Sequence, residues 1–138
     1  MNFIIVKSHL INVNHIIKLI VNDVDGTFTD DLQIQFILDD KSELNIKFNT
    51  ALEKENAVKH ILDELQCNNI CDLIKFTNSE YLNIHKITSL SVEPLSSSVW
   101  IRVYTESPFS DLFEYPSDFD YQAFLLKIRD RALSYVSI

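Results

Sequence analysis

Apolar and polar positions follow one another in the same order twice along this chain. Leu10–Val21 reads Leu-Ile-Asn-Val-Asn-His-Ile-Ile-Lys-Leu-Ile-Val, and Tyr81–Val92 echoes it 71 positions later without a gap. Asn12 falls on Asn83, Val13 on Ile84, Ile16 on Ile87, Leu19 on Leu90 and Val21 on Val92. The echo points to two copies of one small β-rich unit, residues 1–66 and 67–138, joined in one compact body.

In the first copy, Phe3–Lys7 is short, apolar and β-branched, which predicts a buried strand. Leu10–Asn22 is too broken for one period and predicts a bent strand, or two halves around Asn14-His15. Asp25-Gly26 is a tight-turn signal. Leu32, Ile34 and Phe36 alternate with Gln33 and Gln35, so the glutamines are expected on a wet face. Asp39–Ser42 reads as a turn, and Leu44, Ile46 and Phe48 alternate with Asn45 and Lys47 as the next strand. Thr50 stands where a helix cap should, with Glu53 completing a capping box. Val58, Ile61, Leu62 and Leu65 make that helix's apolar stripe.

The second copy repeats the plan. Ile70–Phe76 is the counterpart of Phe3–Lys7, and Glu93–Ser98 replaces the Asp-Gly turn. Val99–Tyr104 is a strand with Trp100, Arg102 and Tyr104 on one side, and its aromatics lead one to expect it to be covered more fully. Leu112–Tyr115 is a short strand after a turn at Ser107-Pro108. Ser117 is the expected N-cap, with Asp120 as its acidic N3 residue. Ser117 lies 67 positions after Thr50, which would make the second copy four residues shorter. Tyr121, Phe124, Leu125 and Ile128 form the second stripe. The expected class is therefore α+β: two pseudo-repeats of three to four antiparallel strands followed by one helix, mostly antiparallel sheet with the helices packed on one face.

Composition narrows the chemistry. Hydrophobic residues make up 46% of 138, enough to bury a core. The single glycine, Gly26, excludes a glycine-rich phosphate cradle and a dinucleotide fingerprint, which need backbone to approach phosphate at several positions. A net charge of −8 opposes direct nucleic-acid binding, which needs a basic footprint, and suits a basic protein partner. The opening residues lack the charged n-region of a signal peptide, and no apolar run reaches the length of a membrane span. With only Cys67 and Cys71 present, reduced thiols and a cytoplasmic protein are expected.

The stretch Asp23-Val24-Asp25-Gly26-Thr27, after an apolar run, resembles the first motif of the haloacid-dehalogenase phosphatase superfamily. Glu43–Thr50 is similar to the sugar-acid phosphatases of that group. The resemblance covers about a quarter of the chain. It implies Asp23 as nucleophile, Asp25 as general acid/base and Mg²⁺ beside them: one carboxylate attacks phosphorus and the other protonates the leaving oxygen. It also implies parallel strands with helical crossovers. Read from its residues alone, the same stretch is two β runs around Asp-Gly, a hairpin signal. His60, Cys67, Cys71 and His85 can be drawn as a zinc set, but zinc modules carry tighter pairs on both sides. No metal and no cofactor are expected.

The acidic residues gather in loops, where binding residues collect on a rigid sheet. The expected function is a non-enzymatic protein-binding module. Its acidic surface of Asp23, Asp25, Asp30, Asp31, Asp39, Asp40, Glu43, Glu106, Asp111 and Glu114 would dock a basic protein partner such as a nuclease or toxin. Trp100 and Tyr104 would anchor the contact, in the manner of an immunity or anti-defence inhibitor. The alternatives are a Mg²⁺-dependent phosphatase using Asp23 and Asp25, and a self-associating structural module, such as a homodimer, that pairs sheet edges.

Overall fold

Among the described residues, short β-branched runs separated by tight turns build ten strands, and two capped apolar stripes build two helices. The structure is a computed structural model that describes residues 2–22, 32–66, 68–105 and 110–133. β1 (Phe3–Val6) and β2 (His9–Asn12) form a hairpin, and a 3-10 turn at Val13–His15 leads to β3 (Ile16–Ile20). β4 (Gln33–Leu38), β5 (Glu43–Lys47) and α1 (Ala51–Leu65) follow. The same order then recurs as β6 (Leu73–Lys75), β7 (Glu80–Asn83), a 3-10 turn at Ile84–Lys86, β8 (Ile87–Pro94), β9 (Ser98–Thr105), β10 (Ser110–Pro116) and α2 (Tyr121–Leu133). Every strand pair is antiparallel. The class is α+β, as the sequence predicts.

The echoed stretches fold alike, and the reason is local. Asn12 and Asn83 both sit at φ −76° and ψ 110°, each ahead of a 3-10 turn. The Oδ1 of each accepts from the amide two residues on, Asn14 N at 3.0 Å and His85 N at 3.1 Å. A side-chain acceptor at that spacing stands in for a backbone one and breaks the strand at a fixed place. The strand after each turn then bulges at the same step, between Ile16 and Lys18 and between Ile87 and Ser89. This congruence is compatible with two copies of one unit.

Each unit has its own core. Ile4, Val6, Ile11 and Val13 of the first hairpin pack with Ile34, Phe36, Ile46, Phe48, Ile61 and Leu65. Ile74, Phe76, Leu82 and Ile84 of the second pack with Val99, Ile101, Val103 and Phe113, under Phe124 and Ile128 of α2. The units share one sheet. β7 adds to β3 to give the order β5-β4-β3-β7-β6, while β10-β9-β8 forms a separate sheet and β1-β2 stands apart. Asn83 pins the joint. It is wholly buried, its Oδ1 accepts from Asp72 N at 3.1 Å, and its Nδ2 donates to Ile16 O at 2.9 Å.

Three expectations need correction. Gln33 and Gln35 are buried, at 6% and 2% exposed; Gln35 lies on the face of the shared sheet that meets β10 of the second unit, beside Lys18 and Asp111, and its Nε2 donates to Glu43 Oε2 at 3.0 Å. The cap of α2 is Asp120, whose Oδ1 accepts from Ala123 N at 3.0 Å. Residues 116–121 spend their first hydrogen bonds on turns, Phe119 N to Pro116 O and Tyr121 N to Phe119 O, so the helix starts later than Ser117 would set. Asp120 stands 70 positions after Thr50, whose Oγ1 accepts from Glu53 N as expected. Finally, β3 and β4 run antiparallel, which departs from the parallel sheet implied by the phosphatase resemblance. No helix among the described residues is long and apolar enough to cross a membrane.

Candidate protein-binding face

Strand β9 alternates strictly: Val99, Ile101 and Val103 enter the core, so Trp100, Arg102 and Tyr104 point the other way. Nothing among the described residues covers that face fully, which corrects the expectation of a well-covered strand. Trp100 is half-buried, whereas Tyr104 is 42% exposed. Register places three rows across the sheet. Glu93, Trp100 and Glu114 form one, Ser91, Arg102 and Leu112 the next, and Ser89, Tyr104 and Ser110 the third. Leu112 is 48% exposed. Two carboxylates thus flank an indole, beside a guanidinium, a phenol and an exposed leucine.

The face gathers three of the sequence-predicted residues, Trp100, Tyr104 and Glu114. It also brings in Glu93, Arg102 and Leu112, which sequence reasoning missed; their alternation was visible, but which residues lie opposite them depends on register. Asp23, Asp25, Asp30, Asp31 and Glu106 lie outside the described residues.

The remaining acids make contacts within the chain. Asp39 lies 3.0 Å from His15 Nδ1 and 3.5 Å from Lys86 Nζ. Asp40 is exposed and accepts from the Ser42 hydroxyl and the Ser42 amide, which hold its carboxyl below the usual range. Asp111 and Glu80 each accept from Lys18 Nζ at 3.0 Å. Glu43 and Asp111 meet at a cavity of about 220 Å³, which Lys18, Gln35 and Ile37 also line. Burial alone would lower the pKa of Lys18, but the two carboxylates outweigh it and raise it. A lysine held charged in this way is no nucleophile at neutral pH.

The thiol and histidines of the drawn zinc set are dispersed. Cys71 is buried, His60 pairs with Glu64 on α1, and His85 Nε2 lies 3.2 Å from Asn68 O. No group of three metal-ligating side chains forms among the described residues. Cys67 is outside them.

Burial, and secondarily the Asp72 charge, pushes the Cys71 thiol from 9.0 up to about 12. Burial likewise raises the Tyr115 hydroxyl, which donates to Phe76 O at 2.8 Å. For both, and for Lys18, the folded state keeps protons that the unfolded chain releases. The Cys71 share of stability is therefore complete below pH 9.0 and is lost as pH climbs toward 12. Urea midpoints measured across that window are expected to fall steadily, and Cys71→Ala is expected to flatten the early part of the fall.

Comparison with family models, with curated proteins and with solved structures finds no match to this chain.

Proposed function

We propose that the protein is a non-enzymatic binding module that docks a basic surface of a protein partner on the open face of β8, β9 and β10. One observation carries the reading: Trp100 sits between Glu93 and Glu114 in a single cross-strand row. An indole supplies buried area at small entropic cost, and flanking carboxylates choose a cationic surface around it. The net charge of −8 supports this by steering such a partner inward. The use that fits best is that of an inhibitor, an immunity or anti-defence protein that covers a basic nuclease or toxin.

The test is capture from native lysate at low and high salt. A partner held at low salt and shed at high salt is expected. Trp100→Ala should weaken it by about 2 kcal/mol, roughly thirtyfold in Kd. The pair Glu93→Lys and Glu114→Lys should abolish capture while leaving the melting temperature in place. Retention of the partner by both variants would discard this face.

A further inference from the structure

The hairpin β1–β2 is the counterpart of β6–β7, but only the second has a neighbouring sheet to join. Their inner faces match: Ile4, Val6, Ile11 and Val13 fill one core as Ile74, Phe76, Leu82 and Ile84 fill the other. Their outer faces differ. On β6–β7 the outer face carries Leu73 and Tyr81, which pack on the core of the first unit. On β1–β2 the same cross-strand positions are Phe3 and Leu10, and they stand 49% and 66% exposed. Ile5, paired with Leu10 at the rim, is also 66% exposed. An apolar strip of this kind on an open-edged hairpin is a docking surface.

The other end of the molecule is incomplete in a complementary way. Ile16, Leu19 and Val21 of the β3 segment are 0%, 0% and 7% exposed, because β7 and β6 lie alongside. Their counterparts Ile87, Leu90 and Val92 are only half-buried, and among the described residues β8 pairs with β9 alone. A third observation agrees. Beside the edge of β2 that no described strand pairs lies a groove of about 220 Å³ where Leu10, Ile11, Leu38 and Leu44 stand together with the polar His15, Asp39 and Asp40. In the second unit the matching place is filled, since Lys18 of β3 lies there between Glu80 and Asp111. Leu44 and Asp111 hold the same position, each two residues before a core residue, Ile46 or Phe113.

We infer that the hairpin of one molecule docks antiparallel on β8 of a second copy, in the register of the internal joint. Within the chain that register is Lys18 with Leu82, Leu19 with Tyr81 and Ile20 with Glu80. Between copies it becomes Ser89 with Ile11, Leu90 with Leu10 and Ser91 with His9. Asn12 Nδ2 then reaches the carbonyl of Ile87, as Asn83 Nδ2 reaches that of Ile16 within the chain. Phe3 and Leu10 cover the half-buried Leu90, completing the second core. The contact is head-to-tail, leaving a free hairpin at one end and a free β8 at the other, so it closes into rings or extends into filaments. Phe3–Asn12 carries no carboxylate, and the attraction is apolar. Copies of net charge −8 repel one another as wholes, so salt strengthens this contact, opposite to its effect on a basic partner.

The experiment is light scattering and sedimentation of the full chain over a range of concentration and salt. The expected mass rises with concentration, passes beyond a dimer, and rises further at high salt. Leu10→Lys is expected to remove the rise with an unchanged melting curve, because Leu10 is exposed in the single molecule. His9 and Ser91 would face each other as Glu80 and Ile20 do, next to the hydrogen-bonded step Val21 N to Ser79 O, so they form a close, non-hydrogen-bonded pair suited to a disulfide. Mixed under mild oxidation, His9→Cys and Ser91→Cys chains should yield a covalent dimer joined at 9 and 91 that neither yields alone. A chain that stays monomeric throughout overturns the inference. So does association that Leu10→Lys leaves intact, or a mixture without the 9–91 link. Trp100→Ala should leave self-association intact, so failure here leaves partner docking standing, and the converse holds.

Discussion

Leu19→Ala is expected to lower the unfolding free energy by about 2–5 kcal/mol, while Leu90→Ala at the matching position costs less than about 2 kcal/mol. The two leucines share a place in the echo and differ in surroundings. Leu19 is 0% exposed, held between the first core and the pairing of β3 with β7. Leu90 is half-buried at a strand with one open edge. Truncation loses the transfer free energy of the removed carbons and adds a cavity term that depends on whether neighbours can collapse. At Leu19 the wall is β-sheet on either side and cannot collapse; at Leu90 water fills the gap. Urea unfolding of both variants in dilute solution checks the difference. Equal losses would mean that β6 and β7 do not shield β3. At concentrations where copies associate, the Leu90 loss should grow, because binding to the folded state adds to apparent stability.

Arg131→Ala is expected to cost about 3 kcal/mol, the larger part of which returns in the double variant Asp72→Asn with Arg131→Met. Arg131 Nε donates to Asp72 Oδ2 at 2.6 Å and Nη2 to Oδ1 at 2.7 Å, a bidentate fork. The Asp72 side chain is 1% exposed. Removing the guanidinium takes two charge-assisted hydrogen bonds from a carboxylate with little water at the point where the second unit begins, so less of the desolvation cost of that charge is offset. Removing both charges avoids that cost. Guanidinium unfolding of the two variants beside the unaltered chain separates the two cases. A single variant that costs less than about 1 kcal/mol would show that the fork adds little to stability.

Much of the fold is legible in the chain because its signals are local. Alternation over Val99–Tyr104 gives β9 and its faces, Thr50 with Glu53 gives the start of α1, and the broken period of Leu10–Asn22 gives a division near Asn14-His15, which the structure places at a 3-10 turn over Val13–His15. What failed was whatever depends on neighbours. Gln33 and Gln35 look like wet-face residues, and are buried because that face of the sheet meets the second unit, where Asp111 of β10 reaches Lys18 beside Gln35. Ser117 looks like a cap until residues 116–121 are seen to spend their amides on turns. The Asp72–Arg131 fork spans 59 positions and leaves no trace in either local pattern.

The candidate site divides the same way. Trp100 and Tyr104 were readable as one side of a strand, but Glu93 and Glu114 join them only through the registers of β8 and β10 with β9. Asp39 and Asp111, placed by the sequence reading on the acidic docking surface, are engaged by His15 and Lys86 and by Lys18, residues 24 to 93 positions away in the chain.

The sequence by itself determined the α+β class and a run of antiparallel strands before each helix, though it predicted three to four strands where five stand in each unit among the described residues, since periodicity and caps act within a few residues. Only the tertiary structure decided that β7 completes the sheet of the first unit while β8 and the hairpin β1–β2 keep open edges. Antiparallel pairing is chosen by long-range burial and register, and two stretches of like sequence take different partners because one lies between units and the other at an end.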